Sequence, residues 1–101
     1  MNMRLIGDRL SVELFRLAGV SGETPDTPEA VKGSIDTLLQ DPDVGVILVT
    51  NSLAKKVGGE FRKYIERRKL PLVLRIPDRR DREGQITELR EYLQRTLGIK
   101  L

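Results

Sequence analysis

The sequence predicts an α/β fold: a small parallel sheet of about four strands with helices on both faces, and one more helix appended at the C-terminus. Three observations predict it. Short apolar runs alternate with stretches of helical periodicity, the order that strand-helix-strand units with right-handed crossovers produce. The run Val44-Gly45-Val46-Ile47-Leu48-Val49 is almost unbroken β-branched and aliphatic, the composition of a central parallel strand buried on both faces. The connections between the runs are short and marked by Gly, Asp and Pro, residues that end one element and start the next.

Taken in order, Met3, Leu5 and Ile6 form a first short strand, and Gly7-Asp8 turns it into a helix capped by Asp8. Leu10, Leu14, Leu17 and Ala18 recur at helical spacing and predict the buried stripe of that helix, with Phe15 beside it. Gly19 ends the helix as a residue free to take positive φ. The stretch from Val20 to Asp26 is rich in Gly, Ser, Thr and Pro and carries little strand signal. Thr27-Pro28-Glu29 is a helix start, with a capping hydroxyl, a preset first turn and a negative charge that suits the helix dipole. Val31, Ile35, Leu38 and Leu39 make its apolar face, and Asp41-Pro42-Asp43 stops it.

After the central strand, Thr50, Asn51 and Ser52 offer caps for a third helix with Leu53, Val57, Phe61, Tyr64 and Ile65 turned inward. Gly58-Gly59 interrupts this helix at about 1 kcal/mol per residue relative to Ala, which predicts a kink or break. Leu72-Val73-Leu74-Arg75-Ile76 is the last strand, closed by Pro77. Together these elements describe a Rossmann-like, receiver-like domain over residues 1–77. Residues 78–84 hold no apolar side chain and read as a linker. Ile86, Leu89, Leu93 and Leu97 then return at spacings of three and four, one narrow stripe on a helical tail over 85–101. The stripe has two readings, packing back on its own domain or lying against a partner helix, and the linker favours the partner.

Composition limits the chemistry. The chain has 101 residues, enough for one core and too few for two. It has no Cys and no His, so disulfides, thiolate zinc sites and imidazole acid-base chemistry are excluded by inventory. No apolar run is long enough to cross a bilayer, and no signal-like segment precedes the first strand, which predicts a cytoplasmic chain without direct membrane insertion. The 18 Lys and Arg exceed the 15 Asp and Glu by only three, acidic residues interrupt most of the basic clusters and aromatic residues are scarce, so nucleic acid is not the expected partner.

Ligands of doubly wound sheets bind at the carboxyl ends of the strands, which here present Gly7-Asp8, Thr50-Asn51-Ser52 and Pro77-Asp78. No Gly-x-Gly-x-x-Gly and no phosphate-loop Lys motif occurs at these positions or elsewhere. A phosphoacceptor receiver would need clustered carboxylates for magnesium and an Asp ending the central strand, where this chain has Thr50. Asp8 is therefore a helix cap, and the expectation is no catalytic residue, no cofactor and no metal. Phe15 and Arg16 read as a core anchor followed by a solvated charge.

A two-part signature runs through this frame: Gly7-Asp8 after the first strand, then Phe15-Arg16-Leu17-Ala18-Gly19-Val20 closing the first helix. It continues through Leu39-Gln40-Asp41-Pro42-Asp43 into the central strand ending in Thr50, through Leu70-Pro71 and Ile76-Pro77, to Leu97-Gly98-Ile99. In this order and spacing the pattern resembles the F subunit of V-type and A-type rotary ATPases (ATP synthases) over most of the chain. The resemblance implies a second short strand near Val20. It also implies a non-catalytic rotor component of the central stalk, which couples ATP synthesis or hydrolysis to ion transport, hydrogen ions among them. The implied partners are the coiled coil of the central stalk's D subunit and, through the assembled complex, the A and B subunits of the catalytic head. The chain would thus associate peripherally with the membrane through the complex. The C-terminal segment would be regulatory, and Phe15 and Arg16 would belong to a surface used in stalk assembly. Two other classes remain: a degenerate receiver-like signalling or small-ligand domain, which magnesium bound at Asp8 would favour, and a basic nucleic-acid adaptor, which steeply salt-dependent binding would favour.

Overall fold

The computed structural model describes residues 2–77. Within them lie four strands, β1 (Asn2–Ile6), β2 (Ser21–Glu23), β3 (Val44–Thr50) and β4 (Leu72–Ile76). The helices are α1 (Arg9–Leu17), α2 (Pro28–Leu39), α3 (Asn51–Val57) and α4 (Phe61–Ile65). All strands are parallel, in the order β2-β1-β3-β4. The order reverses between β1 and β3, so these two innermost strands have their side chains covered on both faces. The helical tail expected over 85–101 lies outside the described residues.

The two faces carry separate cores. On one, Ile6, Val44, Ile47, Val49 and Val73 of the sheet meet Val31 and Ile35 of α2, with Leu53, Ala54, Val57 and Phe61 from α3 and α4. On the other, Leu5, Leu48 and Ile76 meet Val12 and Phe15 of α1, with Val20 partly buried against them. Among the described residues the second core is the smaller, and Met3, Val46 and Leu74 at its border are partly buried.

Local chemistry at the element ends follows the sequence. Asp8 caps α1, accepting from the Ser11 amide at 3.3 Å and from the Ser11 hydroxyl at 2.6 Å. Thr27 caps α2 by accepting from the Ala30 amide at 3.0 Å, with Pro28 in the first turn. Gly19 takes φ of 85° after α1. The strand expected near Val20 on resemblance alone is present as the three residues of β2. The third helix breaks at the two glycines: Gly58 has φ of 78°, a left-handed value that ends α3, and Gly58–Glu60 form a 3-10 turn before α4 resumes.

Two expectations are corrected. The inward stripe of α1 is Ser11, Val12 and Phe15, not Leu10, Leu14, Leu17 and Ala18. Leu17 is 86% exposed, while Phe15 is 5% exposed and part of the core. Packing fixes the rotation: Val12 and Phe15 join Leu5, Leu48 and Ile76 of the sheet in one core, which turns the face beside the leucine row inward. Ile65, expected inside, is 42% exposed: it is the last residue of the short α4, on which Phe61 holds the buried position.

Candidate functional site

The ends of β1 and β3, where a ligand of this architecture would sit, are filled by the chain itself. Gly7 lies so close to Thr50 that a Cβ on it would fall 2.6 Å from Thr50 Cγ2. Thr50 is fully buried, and its Oγ1 has no hydrogen-bond partner among the described residues. Beside it, Arg75 Nε donates to Asn51 Oδ1, linking β4 to the start of α3. Asp8 is occupied as a cap. Among the described residues, no three His, Cys, Asp or Glu side chains come together in a way that could hold a metal ion.

The surfaces outside this crevice are more distinctive. On α1 the displaced leucine row faces outward, with Leu10 and Leu14 half-covered and Leu17 exposed next to Arg16. Of the residues singled out from sequence, Phe15 therefore holds α1 to the sheet and Arg16 stands at the surface. Ile86, Leu89, Leu93 and Leu97 lie outside the described residues. The helical periodicity of α1 fits two rows, and packing against the sheet, which no local signal carries, selects the Val12-Phe15 row.

A second surface lies at the β4 edge. A groove of about 480 Å³ runs between the 3-10 turn, α4 and β4, with Phe61 and Ile65 on its apolar side and Arg62, Glu66 and Arg75 at its rim. Leu70, after which comes a cis peptide to Pro71, and Leu72 extend the exposed apolar area toward the strand start. Across the opposite side of α4, Tyr64 donates its phenol hydrogen to Asp36 at 3.0 Å and Lys32 meets Glu60 at 2.6 Å, pinning α2 to the turn. Partial burial first, then the Asp36 hydrogen bond and the nearby Asp36 and Glu60 charges, push the Tyr64 phenol up to about 12. The Lys32 ammonium is raised chiefly by its bond to Glu60, and the Glu60 carboxyl is lowered by the same bond.

Fold and surfaces define a doubly wound α/β domain whose strand-end crevice is closed by its own side chains. The family model described as ATP synthase (F/14-kDa) subunit matches residues 3–93. The F subunit of the A-type ATP synthase of Thermococcus kodakarensis is 37% identical over 106 aligned residues, covering 100% of this chain and 98% of its own. The corresponding protein of Methanothermobacter thermautotrophicus is 33% identical, covering 99% and 95%. That of Pyrococcus furiosus is 32% identical, covering 100% and 98%. The chain belongs to the ATP synthase (F/14-kDa) subunit family, the F subunits of the A- and V-type rotary ATPases. Among the described residues, no helix is long and apolar enough to cross a membrane.

Proposed function

We propose that this chain is a non-catalytic rotor subunit of the central stalk. It binds the coiled coil of the D subunit, reaches the A and B subunits of the head through the assembled complex, and couples ATP chemistry to ion translocation. The observation that carries the reading is the match to the F-subunit family along nearly the whole chain, from the first strand into the tail. The closed strand-end crevice supports the non-catalytic part, since neither a phosphate loop nor an open carboxylate cluster lies, among the described residues, where nucleotide or magnesium would bind. In this reading residues 1–77 are the seat of the subunit, 78–84 a tether, and 85–101 a regulatory helix. Ile86, Leu89, Leu93 and Leu97 are its contact row, with Arg16 as a polar contact on the seat. Phe15 contributes from inside by holding α1 in place.

The test is a binding titration of the full chain and of Leu89→Asp, Leu93→Asp and the double variant with the stalk coiled coil, with thermal melts on the same samples. Each buried Leu is worth about 1.5 to 3 kcal/mol, so the double variant is expected to bind at least tenfold more weakly at unchanged melting temperature. A collapse of the isolated fold with unchanged affinity per folded molecule refutes the contact role of the tail. ATP binding in the micromolar range that disappears in Asp8→Ala refutes the non-catalytic reading and favours the receiver-like alternative.

A further inference from the structure

The sheet has two edges, and they are built differently. At one of them β2 is three residues long, carries Glu23 and runs into Thr24-Pro25, features that keep a further strand from adding. At the other, β4 is five residues long and pairs with β3 alone among the described residues. Pro71 and Pro77 flank β4 without entering it, and its one charge, Arg75, donates through Nε to Asn51 at the start of α3. The outer backbone groups of β4 therefore form a row that short length, inner Pro and unengaged charge do not protect. Apolar surface gathers beside it. Of the four large apolar side chains exposed among the described residues, Leu72 is on the strand, Leu70 stands just before it and Ile65 lines the groove between α4 and β4; only Leu17 is elsewhere.

We propose that the β4 edge takes up an extended segment of a partner protein, apolar along the strand and acidic at the end that lies beside Arg68 and Lys69. Such a segment exchanges backbone hydrogen bonds with the open edge and becomes a fifth strand of the sheet. Its side chains point alternately to the two faces: one set enters the groove beside Ile65, and the other continues the row of Leu72 and Leu74. Charge selects the end. Arg68 and Lys69 come four and three residues ahead of Leu72, both are exposed, and neither has an ion partner among the described residues. Carboxylates just past the paired strand meet these two cations. A second copy of the chain fits less well, because residues 51–77 hold eight Lys and Arg against two carboxylates, and edge-to-edge pairing would lay two such segments side by side. The chain's own tail carries the helical period of Ile86, Leu89, Leu93 and Leu97, not the alternation of a strand. Nucleic acid lacks a stacking platform here, since Phe61 is buried and Tyr64 is bonded to Asp36. This docking role is separate from the stalk reading and uses neither Arg16 nor the tail.

The experiment is an amide NMR titration of the isotopically labelled full chain with a synthetic peptide of β-branched residues ending in a run of Glu. Antiparallel pairing sets that C-terminal end beside the start of β4. The comparisons are a peptide with Lys in place of Glu, a single-stranded oligonucleotide, and two copies of the peptide methylated at alternate backbone amides, one for each phase. Methylation keeps the side chains and charges and removes the strand's donors on one side. Shifts are expected in residues 72–76 and 58–66, with affinity falling as salt rises and binding lost in one of the two methylated copies. Leu72→Lys and the Arg68→Glu, Lys69→Glu double variant are each expected to weaken binding at least tenfold while leaving the melt and the affinity for the stalk coiled coil unchanged. Full binding by both methylated copies, equal binding of the Lys peptide, tighter binding of the oligonucleotide, or an unchanged affinity of the charge-reversed chain overturns the proposal. So does a dimer in sedimentation that Leu72→Lys dissolves, which assigns the edge to a second copy. Shift changes in residues 85–101 on Leu72→Lys without peptide assign it to the chain's own tail and equally overturn it.

Discussion

Replacing Gly7 with Ala tests how the first and third strands meet. Gly7 does not have positive φ, so the backbone accepts Ala, and the entropy lost from the unfolded chain favours the variant by about 0.4 to 1 kcal/mol. Against this stands the contact: the new Cβ lies 2.6 Å from Thr50 Cγ2 and 3.6 Å from Leu5 Cγ. Carbon atoms pack at roughly 3.5 to 4.0 Å, so one side must move by about 1 Å. Thr50 cannot swing aside. It is fully buried, branched at Cβ, and paired in register with Ile76 of β4. Overpacking of this kind costs about 1 to 3 kcal/mol, which leaves a net loss of about 1 to 2 kcal/mol and lowers the melting temperature by on the order of 10 °C for a domain of this size. Thr50→Ser removes the methyl group that Ala would strike, at a cost of about 1 kcal/mol when made alone. The double variant is then expected to be more stable than the sum of the singles predicts, by about 1 kcal/mol or more. Chemical denaturation of the four proteins closes the cycle. A Gly7→Ala chain as stable as the parent, or four stabilities that add within about 0.5 kcal/mol, refutes the close-approach explanation of the Gly-Asp turn.

Other outcomes follow from the same contacts. Thr50→Val keeps the shape and removes a buried hydroxyl that has no partner among the described residues, so denaturant unfolding is expected to show a gain of about 1 kcal/mol. A loss would reveal a partner for that hydroxyl. Asp8→Ala removes both bonds to Ser11 and is expected to cost about 1 kcal/mol by the same assay, with Asp8→Asn retaining most of the cap. In a Tyr92→Phe background, ultraviolet titration is expected to show the Tyr64 phenol ionising near 12 instead of 10, with Asp36→Asn moving it part of the way back. Because the folded value is the raised one, the stability linked to Tyr64 is whole below pH 10 and declines as the pH rises from 10 through about 12. Partial solvent exposure keeps that decline well below what the full shift implies. Ionisation near 10 in a chain still folded by circular dichroism would remove the Asp36 contact.

Element order, the parallel central strand, the caps at Asp8 and Thr27 and the break at Gly58-Gly59 were all legible in the amino-acid sequence. These rest on interactions within a few residues, such as a cap oxygen to an amide three positions on or a positive φ that only Gly takes cheaply. The family resemblance was legible too, because the Gly-Asp turn and the Asp41-Pro42-Asp43 stop are local motifs in a fixed order. Rotation and proximity were not. Helix α1 carries a leucine row and a Val12-Phe15 row, and both satisfy the helical period. The sheet chose between them, because Val12 packs close over Gly22 of β2 while Leu17 stays exposed. The same holds for Ile65, one helical turn after Phe61 on α4: the period places both inward, and only Phe61 is buried in the packed chain. The groove beside β4 has no sequence signature, since it exists only once the broken helix and an edge strand come together at a distance in the chain. Local rules decide what each segment becomes; which of its faces is buried depends on a layer built from residues far away, and that layer exists only in the folded chain.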